Sequence, residues 1–548
     1  MTRTTTQSDA RAETAFDVVI VGAGFSGLYM LHKLRALGLS ARIFEAGTGV
    51  GGTWYWNRYP GARVDIESHE YSYSFSPELD AEWQWSERYA TQPELLRYFD
   101  YVADRFDLRR DIQLETRVTA AIFDATDNRW RVTTDRGDQV SARFCVMATG
   151  CLSVTKEPDF PGVERFLGKS YHTGRWPHEG VDFTGQRVGV IGTGSSAVQS
   201  IPVIAKQARH VCVFQRTPNF SVPAHNGPID PSVLQDWRVN RERYREQARN
   251  SSFAIVMADE SEQSALDATP EERRRNYEAR WARGGFALVG AYGDLTNDKA
   301  ANDTAVEFVA EKIRGIVKDP HVAEKLVPKT YPLATKRLCV DTGYYDTFNR
   351  DTVTLVDLRE EPIEAITATG VRTASQAYEF DVIVYAIGFD AMTGALNNID
   401  IRGRDGVALK HEWSHGPRTY LGLAIAGFPN LFIVTGPGSP SVLANMAVTI
   451  EQHVNWIAAC IAYVGDRQIG TIEATPAAQA DWVQHVNEVA DDTLFPLANS
   501  WYMGANIPGK PRVFMPYIGG FNVYREKCDE IAANGYQGFT LTSSARDA

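Results

Sequence analysis

FDVVIVGAGFSGLYMLHKL, residues 16–34, decides the fold. Phe16 to Val21 is apolar at nearly every position, the pattern of a short strand buried on both faces, and Leu28, Leu31 and Leu34 then recur at helical spacing. Between them Gly22-Ala-Gly24-Phe-Ser-Gly27 makes the tight turn of a strand–turn–helix unit. Gly22 permits the turn, Gly24 lets backbone amides approach a pyrophosphate, and Gly27 lets the helix pack closely on the strand. Such a hexapeptide carries little weight alone. Here a further strand, Ala41-Arg-Ile-Phe44, ends in Glu45, eighteen residues beyond Gly27, where an acid accepts hydrogen bonds from ribose hydroxyls. The unit therefore reads as a dinucleotide site.

The pattern returns once. Arg187-Val-Gly-Val-Ile191 leads into Gly192-Thr-Gly194-Ser-Ser-Ala197, and the strand after its helix, Val211-Cys-Val-Phe214, ends in Gln215-Arg216-Thr217-Pro218. No acid stands where Glu45 stood. A guanidinium there takes up a ribose 2′-phosphate that a carboxylate would repel, so the second ligand should be NADP rather than NAD. Two more buried strands, Phe144 to Ala148 and Asp381 to Ala386, return to these sheets. The fold class is α/β, with two Rossmann-like dinucleotide domains. From about 223 to 332 the texture turns polar and rich in Arg and Glu, with a capping box at Thr269-Pro-Glu-Glu272 and an apolar stripe at Val309, Ile313, Ile316 and Val317. This reads as a helical insertion.

The composition agrees with a large globular enzyme. At 548 residues the chain has room for about two to four domains. A net charge of −12, from 68 acidic and 56 basic residues, argues against a nucleic-acid or anionic-membrane footprint. Six cysteines lie far apart, which excludes a disulfide scaffold, offers no metal-ligand spacing and suits a reducing cytoplasm. Residues 1–14 read as a polar, frayed tail without the apolar core of a signal peptide. The most apolar helical stretch, Ala447 to Val464, carries Glu451, Gln452, His453 and Asn455, and so belongs to a soluble domain rather than a bilayer.

Two different nucleotides suggest a relay in which a hydride passes from a nicotinamide to a flavin in the first site. A flavin then hands electrons to a disulfide, a quinone or O₂. No close cysteine pair exists, so O₂ is the favoured acceptor. Two longer motifs narrow this further. Phe166-Leu-Gly168-Lys-Ser-Tyr-His172-Thr-Gly-Arg-Trp176-Pro177 lies between the two turns, and Gly52-Thr53-Trp54-Tyr-Trp-Asn-Arg-Tyr59-Pro60-Gly-Ala-Arg-Val-Asp65 follows the first. The former resembles the F-x-G-x-x-x-H-x-x-x-W-P fingerprint of type I Baeyer–Villiger monooxygenases, and the latter that family's second fingerprint. The resemblance spans essentially the whole chain and is greatest to the phenylacetone and steroid monooxygenase branch.

The resemblance implies an NADPH-, FAD- and O₂-dependent enzyme that converts ketones, aromatic or bulky cyclic ones, to esters or lactones through a peroxyflavin. It implies an FAD domain from 15–150 and 385–548, an NADP domain from 151–222 and 333–384, and a helical subdomain at 223–332. Arg337, in Ala334-Thr-Lys336-Arg337-Leu338, is the side chain implied to stabilise the negatively charged peroxyflavin, and Asp65 the carboxylate that holds and tunes it. A fixed cation ~4 Å from an anion is worth about 4 kcal/mol at an effective dielectric of about 20. Lys336 is implied to join Arg216 and Thr217 around the 2′-phosphate, Trp501 to contact the nicotinamide nucleotide, and Thr53 and Trp54 to line the flavin site. Ser441, Leu443 and Met446 would border the substrate. His172 is expected on a linker between domains, coupling their movement rather than moving protons. No metal and no obligatory protein partner are implied. The rival readings are a flavin monooxygenase of amines or sulfides, which lacks the full fingerprint, and a non-catalytic flavoprotein that senses NADPH.

Overall fold

The computed structural model describes residues 14–543. The expected tail therefore lies outside the described residues, except for Thr14, which opens the first strand. β1 (Thr14–Val21) sits inside an eight-stranded sheet, pairing in parallel with β2 (Ala41–Phe44) on one side. β3 (Ile112–Gln113) extends the sheet beyond β2. β4 (Val118–Asp124), β5 (Arg129–Thr134) and β6 (Gln139–Met147) form an antiparallel run whose last strand lies parallel to β1 on its other side. Two late strands, Asp400–Arg402 and Leu431–Ile433, return to β4 and β6. The alternation of a strand explains why residues 16–21 show no polar face. Val18 and Ile20 pack on the side of helix α1 (Phe25–Ala36), while Val19 and Val21 enter a second cluster with Trp130 and Met147.

α1 is buried on most of its surface because the long helix Met446–Asp466 packs against it, with the Tyr29 hydroxyl donating to Asn455 Oδ1 at 2.9 Å. In that long helix Glu451 is buried and accepts from the Ser74 backbone N–H at 2.6 Å. No helix among the described residues is long and apolar enough to cross a membrane.

The second turn builds a five-stranded parallel sheet. β7 (Lys169–His172), β8 (Arg187–Ile191) and β9 (His210–Gln215) come first, with helix α2 (Ser195–Gln207) joining β8 to β9. The chain then departs through β10 (Ser221–Pro223) and returns through β11 (Cys339–Asp341), which pair with each other in parallel and close the neck of the excursion. β12 (Val353–Asp357) adds to β9. A meander of β13 (Ile363–Thr367), β14 (Gly370–Thr373) and β15 (Ala377–Glu379) follows, and β16 (Val382–Tyr385) inserts between β7 and β8. One expectation is corrected here. His172 is not on a linker but ends β7, opposite Tyr385, because the edge position lets a polar KSYH segment pair along β16 without an apolar pattern.

The excursion is helical: α3 (Pro231–Arg249), α4 (Pro270–Arg283), α5 (Lys299–Ile316) and α6 (Pro320–Leu326). Each begins at a side-chain cap, from Asp230, Thr269, Asp298 and Asp319 in turn, and the Thr269–Glu272 capping box forms as its spacing requires. Val309, Ile313 and Val317 are buried, whereas Ile316 is only partly so. α3 also reaches the first part of the chain. Arg245, with 5% of its side chain exposed, donates to Ser72 Oγ at 2.8 Å and to the Ser72 carbonyl, and lies 3.5 Å from Asp80.

Candidate active site

Each glycine turn opens at the carboxyl end of a strand, β1 or β8, whose two neighbours lead away in opposite directions, the crevice in which open α/β sheets take their ligands. The first turn closes tightly. A Cβ on Gly27 would stand 1.9 Å from the Gly22 carbonyl oxygen, so no other residue fits. Glu45 is buried beneath it, its oxygens accepting from the Ala23 and Gly47 amides at 2.7 Å each. Burial pushes its carboxyl up and those amides pull it down. Each carboxylate oxygen has a second lone pair, so the site remains able to accept a ribose hydroxyl.

The helix starts carry a sharper signal. All four insertion helices are capped by a side chain, but α1 and α2 start at Gly24 and Gly194 with no side-chain cap. Their first amides are thus left for an anion. A Cβ on Gly194 would meet nothing within 4 Å, so the approach to that amide cluster is open. Beside the second turn Arg216 is exposed and Lys336 partly buried, and neither forms an ion pair among the described residues. Lys336 lies 4.4 Å from the Tyr331 ring centre. Burial, and then the charge of Arg216, hold its ammonium down to about 8. Two cations side by side with no ion-pair partner among the described residues are a ready seat for a phosphate. Thr217 is close by, its carbonyl accepting from the Thr193 hydroxyl at 2.8 Å. Lys156, which the sequence reading passed over, is also lowered, by burial and then by Arg216. These features fit one dinucleotide at each turn, with a 2′-phosphate at the second.

Between the turns the structure brings Arg337 and Asp65 together across 272 residues of chain. Arg337 Nε and Nη2 donate to the two oxygens of Asp65 at 2.9 and 2.8 Å, and Nη1 donates to the Val442 carbonyl at 2.8 Å. The guanidinium also lies 4.7 Å from the ring centre of Phe286. Burial works against its charge, but Asp65 outweighs that and raises it further above the ordinary arginine value. The neighbouring Tyr502 hydroxyl is pushed up to about 12 by burial, with Arg337 opposing. Three of five N–H donors go to Asp65 and Val442, and the Tyr502 hydroxyl hydrogen-bonds the same guanidinium.

The other expected residues arrange themselves around this pair. Ser441 and Leu443 flank Val442, and Ser441, held at φ +42°, turns the chain so that the Val442 carbonyl meets Arg337. Leu443, Met446 and Trp501 border an apolar cluster with Cys151, Met503 and Phe514. Thr53 is exposed, and Trp54 is buried with its indole N–H donating to the Tyr71 hydroxyl at 3.3 Å. The Phe166–Pro177 stretch does not reach the pair: Trp176 is buried between Tyr171 and Phe183, and a Cβ on Gly168 would meet the Asp381 carbonyl at 2.6 Å. His172 Nδ1 accepts from the Gly174 amide, and burial lowers the ring to about 4, so it is neutral at ordinary pH. Glu67, His69 and Glu70 also converge, but Arg88 and His69 take up Glu67 and the Val256 amide donates to Glu70. Sequence reasoning missed Phe286, Tyr502 and the Val442 carbonyl.

Two dinucleotide turns, with cations beside the second, mark a flavin- and nicotinamide-dependent oxidoreductase, and its six cysteines are all buried and free. A family model, pyridine nucleotide-disulphide oxidoreductase, matches residues 19–276 and reflects the shared nucleotide folds. Over the whole chain the likeness is narrower. A Baeyer-Villiger monooxygenase of Pseudooceanicola batsensis is 44% identical over 97% of this chain and 96% of its own. The structure of an oxidised steroid monooxygenase bound to NADP is 55% identical, with a TM-score of 0.93 over 97% of this chain and 100% of that one. OTEMO in complex with FAD and NADP is 42% identical, with a TM-score of 0.93 over 96% of this chain and 99% of that one. The chain belongs to the type I Baeyer–Villiger monooxygenases. It is an NADPH- and FAD-dependent enzyme that oxidises ketones to esters or lactones.

Proposed function

We propose that Arg337, oriented by Asp65, is the catalytic cation of this enzyme and that its substrates are aromatic or bulky cyclic ketones. The carrying observation is the three-point grip on Arg337 beside an apolar cluster. When bound, FAD would supply, with NADPH and O₂, the redox chemistry by which one oxygen atom is inserted beside the carbonyl. Arg337, flanked by the Tyr502 hydroxyl, presents its charge to a negatively charged oxygen, and its always-ionised guanidinium suits that task better than lysine or histidine. Asp65 fixes the plane of the fork, and Val442 ties it to the turn that carries Ser441 and Leu443. Arg216, Thr217 and Lys336 hold the 2′-phosphate of NADPH. Gly22, Gly24, Gly27 and Glu45 hold FAD with Thr53 and Trp54 nearby, Gly192, Gly194 and Ala197 hold the second pyrophosphate, and Trp501 meets the nicotinamide nucleotide.

The substrate class is argued from the apolar cluster beside the pair. Met446, Leu443 and Trp501, partly buried over a core of Met503 and Phe514, offer thioether, aliphatic and aromatic surface suited to bulky apolar ketones. We assign 15–150 and 385–548 to the FAD domain, 151–222 and 333–384 to the NADP domain and 223–332 to the helical subdomain, in line with the two sheets and the β10–β11 neck. The buried, separated thiols suit the cytoplasm. The test is a panel of linear, aryl and polycyclic ketones, with an amine and a sulfide, scored by product identity. Esters or lactones from aryl and cyclic ketones support the reading; turnover confined to short linear ketones or to the heteroatom substrates refutes it.

A further inference from the structure

We propose that Gln199 is a positioning residue for the reaction, the point through which the NADP-binding helix holds the Asp65–Arg337 pair in place. This rests on the assignment of that pair above.

α2 starts at the second glycine turn. Ser195 and Gln199 are four residues apart on it and so share a face. Ser195 Oγ lies 3.5 Å from Cys339 Sγ, two residues past Arg337. Gln199, 7% exposed, binds the loop that carries the other half of the pair. Its Oε1 accepts from the Tyr59 hydroxyl at 2.9 Å and from the Arg63 amide at 3.4 Å, while Nε2 donates to the Arg63 carbonyl at 3.1 Å. The carboxamide thus pairs with both backbone groups of Arg63, two residues before Asp65, as a neighbouring strand would. Contact is close enough to exclude a side chain: Gly61 stands at φ +82°, and a Cβ there would lie 2.3 Å from the Gln199 carbonyl oxygen. Tyr59 is packed between these groups, its hydroxyl driven up by burial first and then by the charge of Asp65.

One helix face therefore contacts the two segments that carry the pair, while the start of the same helix faces the second pyrophosphate site. A ligand that stiffens the start of α2 stiffens the 57–66 loop through Gln199. Without the carboxamide, Asp65 still meets Arg337, but its loop no longer follows the state of the helix.

Gln199→Met keeps the volume and removes all three hydrogen bonds. The readout that does not depend on turnover is amide hydrogen exchange of the holoenzyme with and without NADP⁺. In the native protein NADP⁺ should slow exchange at the start of α2 and in residues 57–66 together. In Gln199→Met the protection of α2 should remain and that of 57–66 should be lost, with ester formed per NADPH consumed falling about threefold or more while flavin content holds. Unchanged protection of 57–66 by NADP⁺ in the variant, or none in the native protein, overturns the proposal. If Gln199→Met does not fold, Gln199→Glu, which replaces the Nε2 donor to the Arg63 carbonyl by an oxygen, is judged by the same exchange readout: reduced loop protection supports the proposal and native protection overturns it. Failure of the Arg337 assignment is seen separately, as ester made by Arg337→Ala, and leaves the exchange result standing.

Discussion

Arg216 and Lys336 show how far a single residue type in a single place can go. The exposed Arg216 has no acidic partner among the described residues, and Lys336 beside it is held down to about 8. Replacing Arg216 by Ala should raise KM for NADPH about ten- to a hundredfold, the loss of one charge-assisted contact, and leave that for NADH unchanged. Lys336 is a cation below its folded value and neutral above it, so KM for NADPH should climb as the pH passes about 8, whereas KM for NADH should stay flat. A parallel rise for both coenzymes would dismiss the phosphate assignment. At this scale the sequence was readable where chemistry is local: Arg216 follows the end of its strand, and the place of Glu45 is set by counting from Gly27. It was not readable where contacts are distant. Phe286, 51 residues before Arg337 in the chain, has no local feature that points at a guanidinium, and a backbone carbonyl such as that of Val442 has no sequence identity at all. Arg337 itself, read from its neighbours alone, is a Lys-Arg pair on a loop.

Among the elements, the two glycine turns look alike in sequence and differ in their surroundings. A Cβ at Gly27 meets the Gly22 carbonyl at 1.9 Å, while one at Gly194 meets nothing within 4 Å. Gly27→Ala should therefore forfeit flavin and fold together. Gly194→Ala should keep its flavin and its native Tm, and lose affinity for NADPH because the added methyl points into the approach to the α2 amides. Thermal unfolding with flavin quantitation, followed by NADP⁺ titration, separates the two; a Tm loss of several degrees in Gly194→Ala would mean that the space is not the ligand's. Strands β1, β2 and β8 were legible because a parallel strand buried on both faces leaves a continuous apolar run. β7 was not, because KSYH at a sheet edge needs only one partner and carries no such run. The Thr269 cap was legible because it needs nothing beyond its own helix.

At the scale of the whole molecule, the helical insertion is tied back to the first sheet's part of the chain. Arg245 on α3, almost fully buried, donates to Ser72 and faces Asp80, whose carboxyl is raised by burial and lowered by Arg245 and Arg241. Arg245→Ala leaves that carboxylate buried without its main cation and should cost about 3–5 kcal/mol, read as a drop in Tm and in the denaturant midpoint; a loss below about 1 kcal/mol would show that the contact is incidental. The insertion also supplies Phe286 beneath Arg337, so three segments far apart in the chain meet at one guanidinium: the loop of Asp65, the insertion, and the 441–443 turn. The proposed chemistry turns on what that guanidinium does. In the proposed assignment hydride transfer draws on the two nucleotide folds, whereas oxygen insertion also draws on a fixed cation, worth about 4 kcal/mol at ~4 Å. The direct measurement is Arg337→Ala followed by stopped-flow absorbance, first without oxygen and then with it, together with product analysis. FAD should remain bound and be reduced by NADPH, while ester formation falls by about a thousandfold or more; ester made at a rate near that of the native enzyme would contradict the assignment of Arg337.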